Sequence, residues 1–90
     1  MPQYVIERNI AGVGQLSDSD FKNISRKSCD VLDELGPSIK WQHSYVTGDK
    51  IYCVYESPNE EMIREHAAKG GFPADSVSEV KRVISPATAD

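Results

Sequence analysis

Residues 40–56, KWQHSYVTGDKIYCVYE, constrain the fold more than any other stretch. Two runs rich in aromatic and β-branched residues flank Gly48-Asp49, the composition of a β-hairpin closed by a tight turn. An isolated hairpin is barely stable in water, so further strands or helices must cover it. A two-residue turn pairing residues 47 and 50 sets Tyr45 opposite Tyr52 and His43 opposite Val54. Trp41, His43, Tyr45, Tyr52, Val54 and Glu56 then share one face. Gln42, Ser44, Val46, Ile51, Cys53 and Tyr55 share the other, and their small central side chains suit a face lying beneath helices. The first set is too aromatic for a face left in water, and an exposed apolar patch of that size marks an interface. A bulge would exchange the two sets.

The flanking segments supply the missing cover. QYVIER, residues 3–8, reads as a first strand, and AGVGQ, residues 11–15, as a glycine-punctuated loop. Ser17 followed by Asp20 starts a helix, with Asp18 and Asp20 placing negative charge at its N-terminal dipole. Phe21, Ile24, Ser28, Val31, Leu32 and Leu35 recur at helical spacing, which predicts an amphipathic helix over 18–35 ended by Gly36-Pro37. Residues 39–46 and 50–56 are the hairpin strands. Ser57-Pro58-Asn59-Glu60 predicts a second helix with Ser57 as cap and Pro58 at the first helical position. Met62, Ile63, His66 and Ala67 form its buried stripe, and Gly70-Gly71 stops it. After a turn at FPAD, residues 77–84 read as a fourth strand.

The order strand–helix–strand–strand–helix–strand defines an α+β fold, the ferredoxin-like βαββαβ arrangement. It places two helices on one face of a four-stranded antiparallel sheet and leaves the other face bare. A second copy of the chain packed on that bare face, as a twofold homodimer, would cover the aromatic set. Residues 1–86 form the single domain expected of a 90-residue chain. Residues 87–90 are expected to be a mobile tail, within a closing SPATAD that has nothing to bury.

Composition excludes several function classes. The formal net charge is −4 and the Lys and Arg residues are scattered, which argues against nucleic acid and anionic membrane as partners. No apolar run is long enough to span a bilayer, and MPQYVIER lacks a signal-peptide pattern, so the expected location is cytoplasmic. Cys29 and Cys53 lack the paired spacing of a zinc site, and each reads as a buried free thiol acting as a small hydrophobe, with a disulfide as the alternative. GVG and KGG do not open a helix after a strand, so neither is a phosphate-binding loop.

Candidate chemistry is sparse. Glu7 alternates with Ile6, which faces the helices, so Glu7 joins the open face. There it would line a ligand pocket with Trp41, His43 and Tyr52 between dimer halves. A carboxylate and an imidazole in an apolar pocket suit proton transfer. The more ordinary reading of the same groups is structural: they pair with each other or meet Arg8, Lys40 or Arg82 as interface polar residues. His66 lies on the apolar stripe of the second helix, where a lone histidine is more often a core residue than a ligand. No HxxxH or HExxH pair exists, and His66 and His43 are the available imidazoles for a metal shared across a dimer axis. No residue set completes a reaction class.

YVIER, KSCDVL, the run KIYCVYESPNEEMIREHAAKGGFPAD and the closing SEVKRVI together resemble a bacterial domain-of-unknown-function family of small ferredoxin-like proteins. The resemblance spans about residues 2–86. Some members are described as nickel-binding homodimers, so it implies a dimeric ferredoxin-like fold and raises nickel as a cofactor. It also implies a histidine at the end of the first strand, where this chain has Arg8, and others on the helices, of which His66 is present. Three readings follow: a dimeric binding protein for a divalent metal such as nickel, a dimeric α/β-barrel-type protein or enzyme holding a small organic molecule, and a ligand-free structural dimer.

Overall fold

A computed structural model describes residues 1–90. The chain runs β1 (Gln3–Asn9), α1 (Asp18–Leu35), β2 (Lys40–Val46), β3 (Lys50–Glu56), α2 (Glu60–Gly70) and β4 (Ser76–Glu79), with 3-10 turns at Val13–Gln15 and Pro86–Ala89. The strands form one antiparallel sheet in the order β2-β3-β1-β4. This is the ferredoxin-like α+β arrangement.

Alternation decides which side chains go inward. Along β1, Tyr4, Ile6 and Arg8 are buried, and their partners on β3 are Tyr55, Cys53 and Ile51, also buried. With Val13, Ile39 and Ile63 the apolar members form the core between sheet and helices. The segment between β1 and α1 is fixed on the hairpin turn. Asp49 accepts from the Ile10 amide through its carbonyl at 2.9 Å and from the Gly12 amide through Oδ1 at 2.8 Å. Gly14 donates to the Gly48 carbonyl at 3.0 Å, and a Cβ there would sit 2.5 Å from the Thr47 oxygen, so only glycine permits this approach.

The first helix has the expected limits. Ser17 Oγ accepts from the Asp20 amide and Asp20 Oδ2 from the Ser17 amide, each at 3.1 Å, which satisfies two otherwise free donors. The second helix starts later than its signature predicts. Its cap is Asn59, whose Oδ1 accepts from the Met62 amide at 3.0 Å, and Pro58 lies outside the helix. Ser57 is drawn away from the capping role because it is fully buried: its amide donates to the Pro2 carbonyl at 3.0 Å and its hydroxyl to the Asn59 carbonyl at 2.7 Å.

Two further expectations are corrected. The fourth strand ends at Glu79 rather than at residue 84. It pairs antiparallel with β1, and Val80 makes the last bond, to the Gln3 carbonyl at 2.7 Å where β1 begins, so residues 81–84 have no strand to pair with. Val83 and Ile84 are exposed there. In the hairpin, Tyr45 faces Tyr52 and His43 faces Val54 as expected, but a bulge intervenes and Trp41 pairs with Tyr55 instead of Glu56. One extra residue, Gln42, inverts the alternation beyond it. Trp41 therefore joins the helix side of the sheet. The Gln42 side chain, expected beneath the helices, lies on the open side instead, donating to Glu56 Oε1 at 2.8 Å and accepting from Gln3 at 2.7 Å.

Candidate functional site

The bulge separates the residues that sequence spacing groups together. Glu7, His43 and Tyr52 lie on the open face, whereas Trp41 lies beneath the helices. Glu7 Oε1 accepts from Lys50 Nζ at 2.9 Å and from the Tyr52 hydroxyl at 3.2 Å. The Lys50 hydrogen bond and charge, helped by Tyr52, hold the Glu7 carboxyl below the usual range. Glu7 is thus an ionised partner in a surface pair, two strands away from His43. The His43 ring stands edge-on to Tyr45, with centroids 5.1 Å apart.

Beneath the helices the bulge builds something else. Trp41 turns inward, and its indole Nε1 donates to Ser44 Oγ at 2.9 Å. It forms part of the wall of a cavity of about 390 Å³ between α1, the sheet and the turn after α2. Phe21 and Ile24 of α1, Ile51 of β3 and Phe72 supply much of the apolar lining. That volume lies in the range of small-molecule pockets. A second hollow beside Gly36 and Pro37 has few apolar walls and no buried polar group.

One end of this cavity is polar. Arg8 lines it and is 3% exposed, the only buried side chain with a permanent charge. Its Nε donates to Cys53 Sγ at 3.4 Å and its Nη1 to the Pro73 carbonyl at 2.6 Å, and its Cζ lies 5.6 Å from the Phe72 ring centre. No carboxylate pairs with it, and Nη2 has no partner.

His66 adjoins this end. It is fully buried, with Nε2 3.1 Å from Ser28 Oγ and 3.4 Å from the Ser28 carbonyl oxygen. Its ring stacks on Phe72 and leans on Tyr55, while Nδ1 has no partner. Burial pushes the imidazole below its usual range and the Arg8 charge adds to the fall, opposed by a hydrogen bond that the Ser28 carbonyl accepts. The ring is neutral at pH 7. Burial, with Cys53 beside it, raises the Tyr55 phenol, and Arg8 and Ser28 oppose the rise.

Sequence spacing overlooked Arg8, Ser28, Tyr55 and Phe72 as a cluster. A signal existed: the alternation that sends Ile6 inward sends Arg8 inward too.

These residues do not fit a nickel centre within one chain. No three His, Cys, Asp or Glu side chains converge. His66 and His43 lie on opposite faces of the sheet. The Cys53 thiol already accepts from Arg8, and a divalent ion there would meet the guanidinium's like charge. No helix is long and apolar enough to cross a membrane.

Fold and site together define a ferredoxin-like α+β domain with an apolar cavity, closed at one end by a buried guanidinium. The family described as nickel responsive protein SCO4226-like matches residues 4–80, and the chain belongs to that family. The fold is similar to that of SCO4226 from Streptomyces coelicolor A3(2), with a TM-score of 0.76 at 15% identity, over 91% of this chain and 99% of that one. No curated protein matches the chain in sequence.

Proposed function

We propose that this protein binds a small organic molecule in the cavity between sheet and helices, and that it works as a homodimer joined through the open sheet face. The observation that carries the reading is the cavity itself: apolar, of ligand size and walled by an indole that the hairpin bulge turns inward. The dimer is supported by Tyr45, 62% exposed, beside the half-buried Tyr52 and Val54 on that face. Two free thiols, Cys29 and Cys53, support a cytoplasmic setting. Titration with octanol, followed by the emission of Trp41, tests the pocket, because Trp41 is the single tryptophan.

The family's name supports a second reading, in which nickel binds where two copies meet. His43 is exposed on the open face, and the proposed dimer would bring one imidazole from each copy to that interface. Calorimetry with nickel, on the parent and on His43→Ala, tests it. Binding lost in the variant is the expected result, and no heat with the parent removes nickel.

A further inference from the structure

The interior holds one permanent cation and no counterion for it. The chain has 14 acidic side chains, yet none lines the cavity and none lies within ion-pair distance of Arg8. Arginine does not discharge at any ordinary pH, so burial cannot be relieved by losing a proton. A buried charge without a partner is costly, and it persists where something outside the chain supplies the partner.

The hydrogen bonding narrows what that partner is. A guanidinium has five N–H donors. One on Nε is committed to Cys53 Sγ and one on Nη1 to the Pro73 carbonyl. Three donors are left over, one on Nη1 and two on Nη2, and a carboxylate engages such neighbouring N–H groups with both oxygens. Nη2 is one of two buried side-chain polar atoms without a partner, and the other, His66 Nδ1, belongs to the same cluster around Phe72. Buried polar groups are nearly always satisfied, so two orphans in one cluster mark a place built for something else. His66 is neutral and adds no competing charge.

From the Arg8 end the cavity continues as apolar wall, past Trp41, Phe21 and Ile24. Resting on the pocket reading above, we infer that the ligand is a small amphipathic monocarboxylate, its headgroup on the free edge of Arg8 and its apolar body against Trp41, Phe21 and Ile24. Nη2 is itself covered, so the headgroup reaches it as the side chains above it shift. Phe72, which follows the left-handed Gly71 at the end of α2, is the side chain that lies over the guanidinium, its ring centre 5.6 Å from Arg8 Cζ.

The test compares octanoate with octanol, which share a chain and differ in the headgroup, by calorimetry on the full-length protein at pH 7. Octanoate binds about 10- to 100-fold more tightly than octanol, the worth of a charge-assisted hydrogen bond. In Arg8→Met the two bind alike. In Arg8→Lys the preference shrinks but survives, because the charge remains and the fork is lost. Equal binding of both probes to the parent protein overturns the carboxylate assignment and leaves the pocket standing. Binding of neither overturns both. The parent comparison needs no variant, so a folding failure in either substitution leaves it decisive.

Discussion

At the scale of single residues, Arg8 and His66 show how one strand position and one helix position acquire chemistry from their surroundings. On an exposed strand Arg8 would be an ordinary surface cation. Its place in the inward alternation of β1 makes it the unpaired charge of the interior. The residue type and the inward period were both legible in the sequence. The lack of a counterion was not, because it depends on which residues the helices bring opposite. His66 was legible as a buried histidine on an apolar stripe, and it is fully buried. Its depressed pKa has a consequence for stability. The unfolded chain binds a proton near the ordinary value of 6.5 while the folded chain resists it. As pH falls below about 6.5 the unfolded state therefore gains protons first, and stability falls until the folded-state pKa is passed. Glu7 cannot account for this window, since its carboxyl is held below 4.5. Thermal melts between pH 7 and pH 5 are expected to show a falling midpoint, and His66→Gln is expected to flatten that slope. An unchanged slope in the variant would assign the effect to other groups.

At the scale of elements, the strands and helices were readable because their periods are strong and their ends carry recognisable caps. The failures came where a local signal competes with tertiary contacts. Ser57 has the chemistry of a cap, but its burial against Pro2 hands the role to Asn59. The stretch 80–84 has the β-rich composition of a strand, but past Gln3 the partner residue is Pro2, which has no amide to donate and gives its carbonyl to Ser57. The bulge at Gln42 had the largest effect. A single extra residue moves Trp41 from the open face to the cavity wall and divides the site that regular alternation assembles. Nothing in WQHS distinguishes a bulged strand from a regular one. The half of the hairpin nearest the turn keeps its expected register, so Tyr45 and Tyr52 still share the open face. The dimer reading is best tested there. Tyr45→Arg sets like charges against each other at a twofold interface. It is expected to weaken the dimer at least about thirtyfold in sedimentation equilibrium. A parent protein that sediments as a monomer at micromolar concentration would contradict the dimer outright.

At the scale of the whole molecule, the split βαβ order gives a sheet with two unlike faces. One is polar and aromatic, with the Glu7–Lys50 pair and the exposed Tyr45. The other encloses the core and, toward the hairpin end, a cavity that the core side chains do not fill. The fold and its family were within reach of the sequence because they rest on element order and on residues spread along the chain. The cavity was not, because it is the space left between α1, β2 and the turn after α2, and no local pattern encodes a space. Trp41 joins these scales, since one bulged residue sets its face and its face closes the pocket. The most direct measurement is therefore its fluorescence during an octanol titration. A saturable change in emission, with a matching rise in thermal midpoint, is the predicted result. A change that stays linear in octanol, with no rise in midpoint, would show that the cavity takes no ligand and would contradict the proposed function.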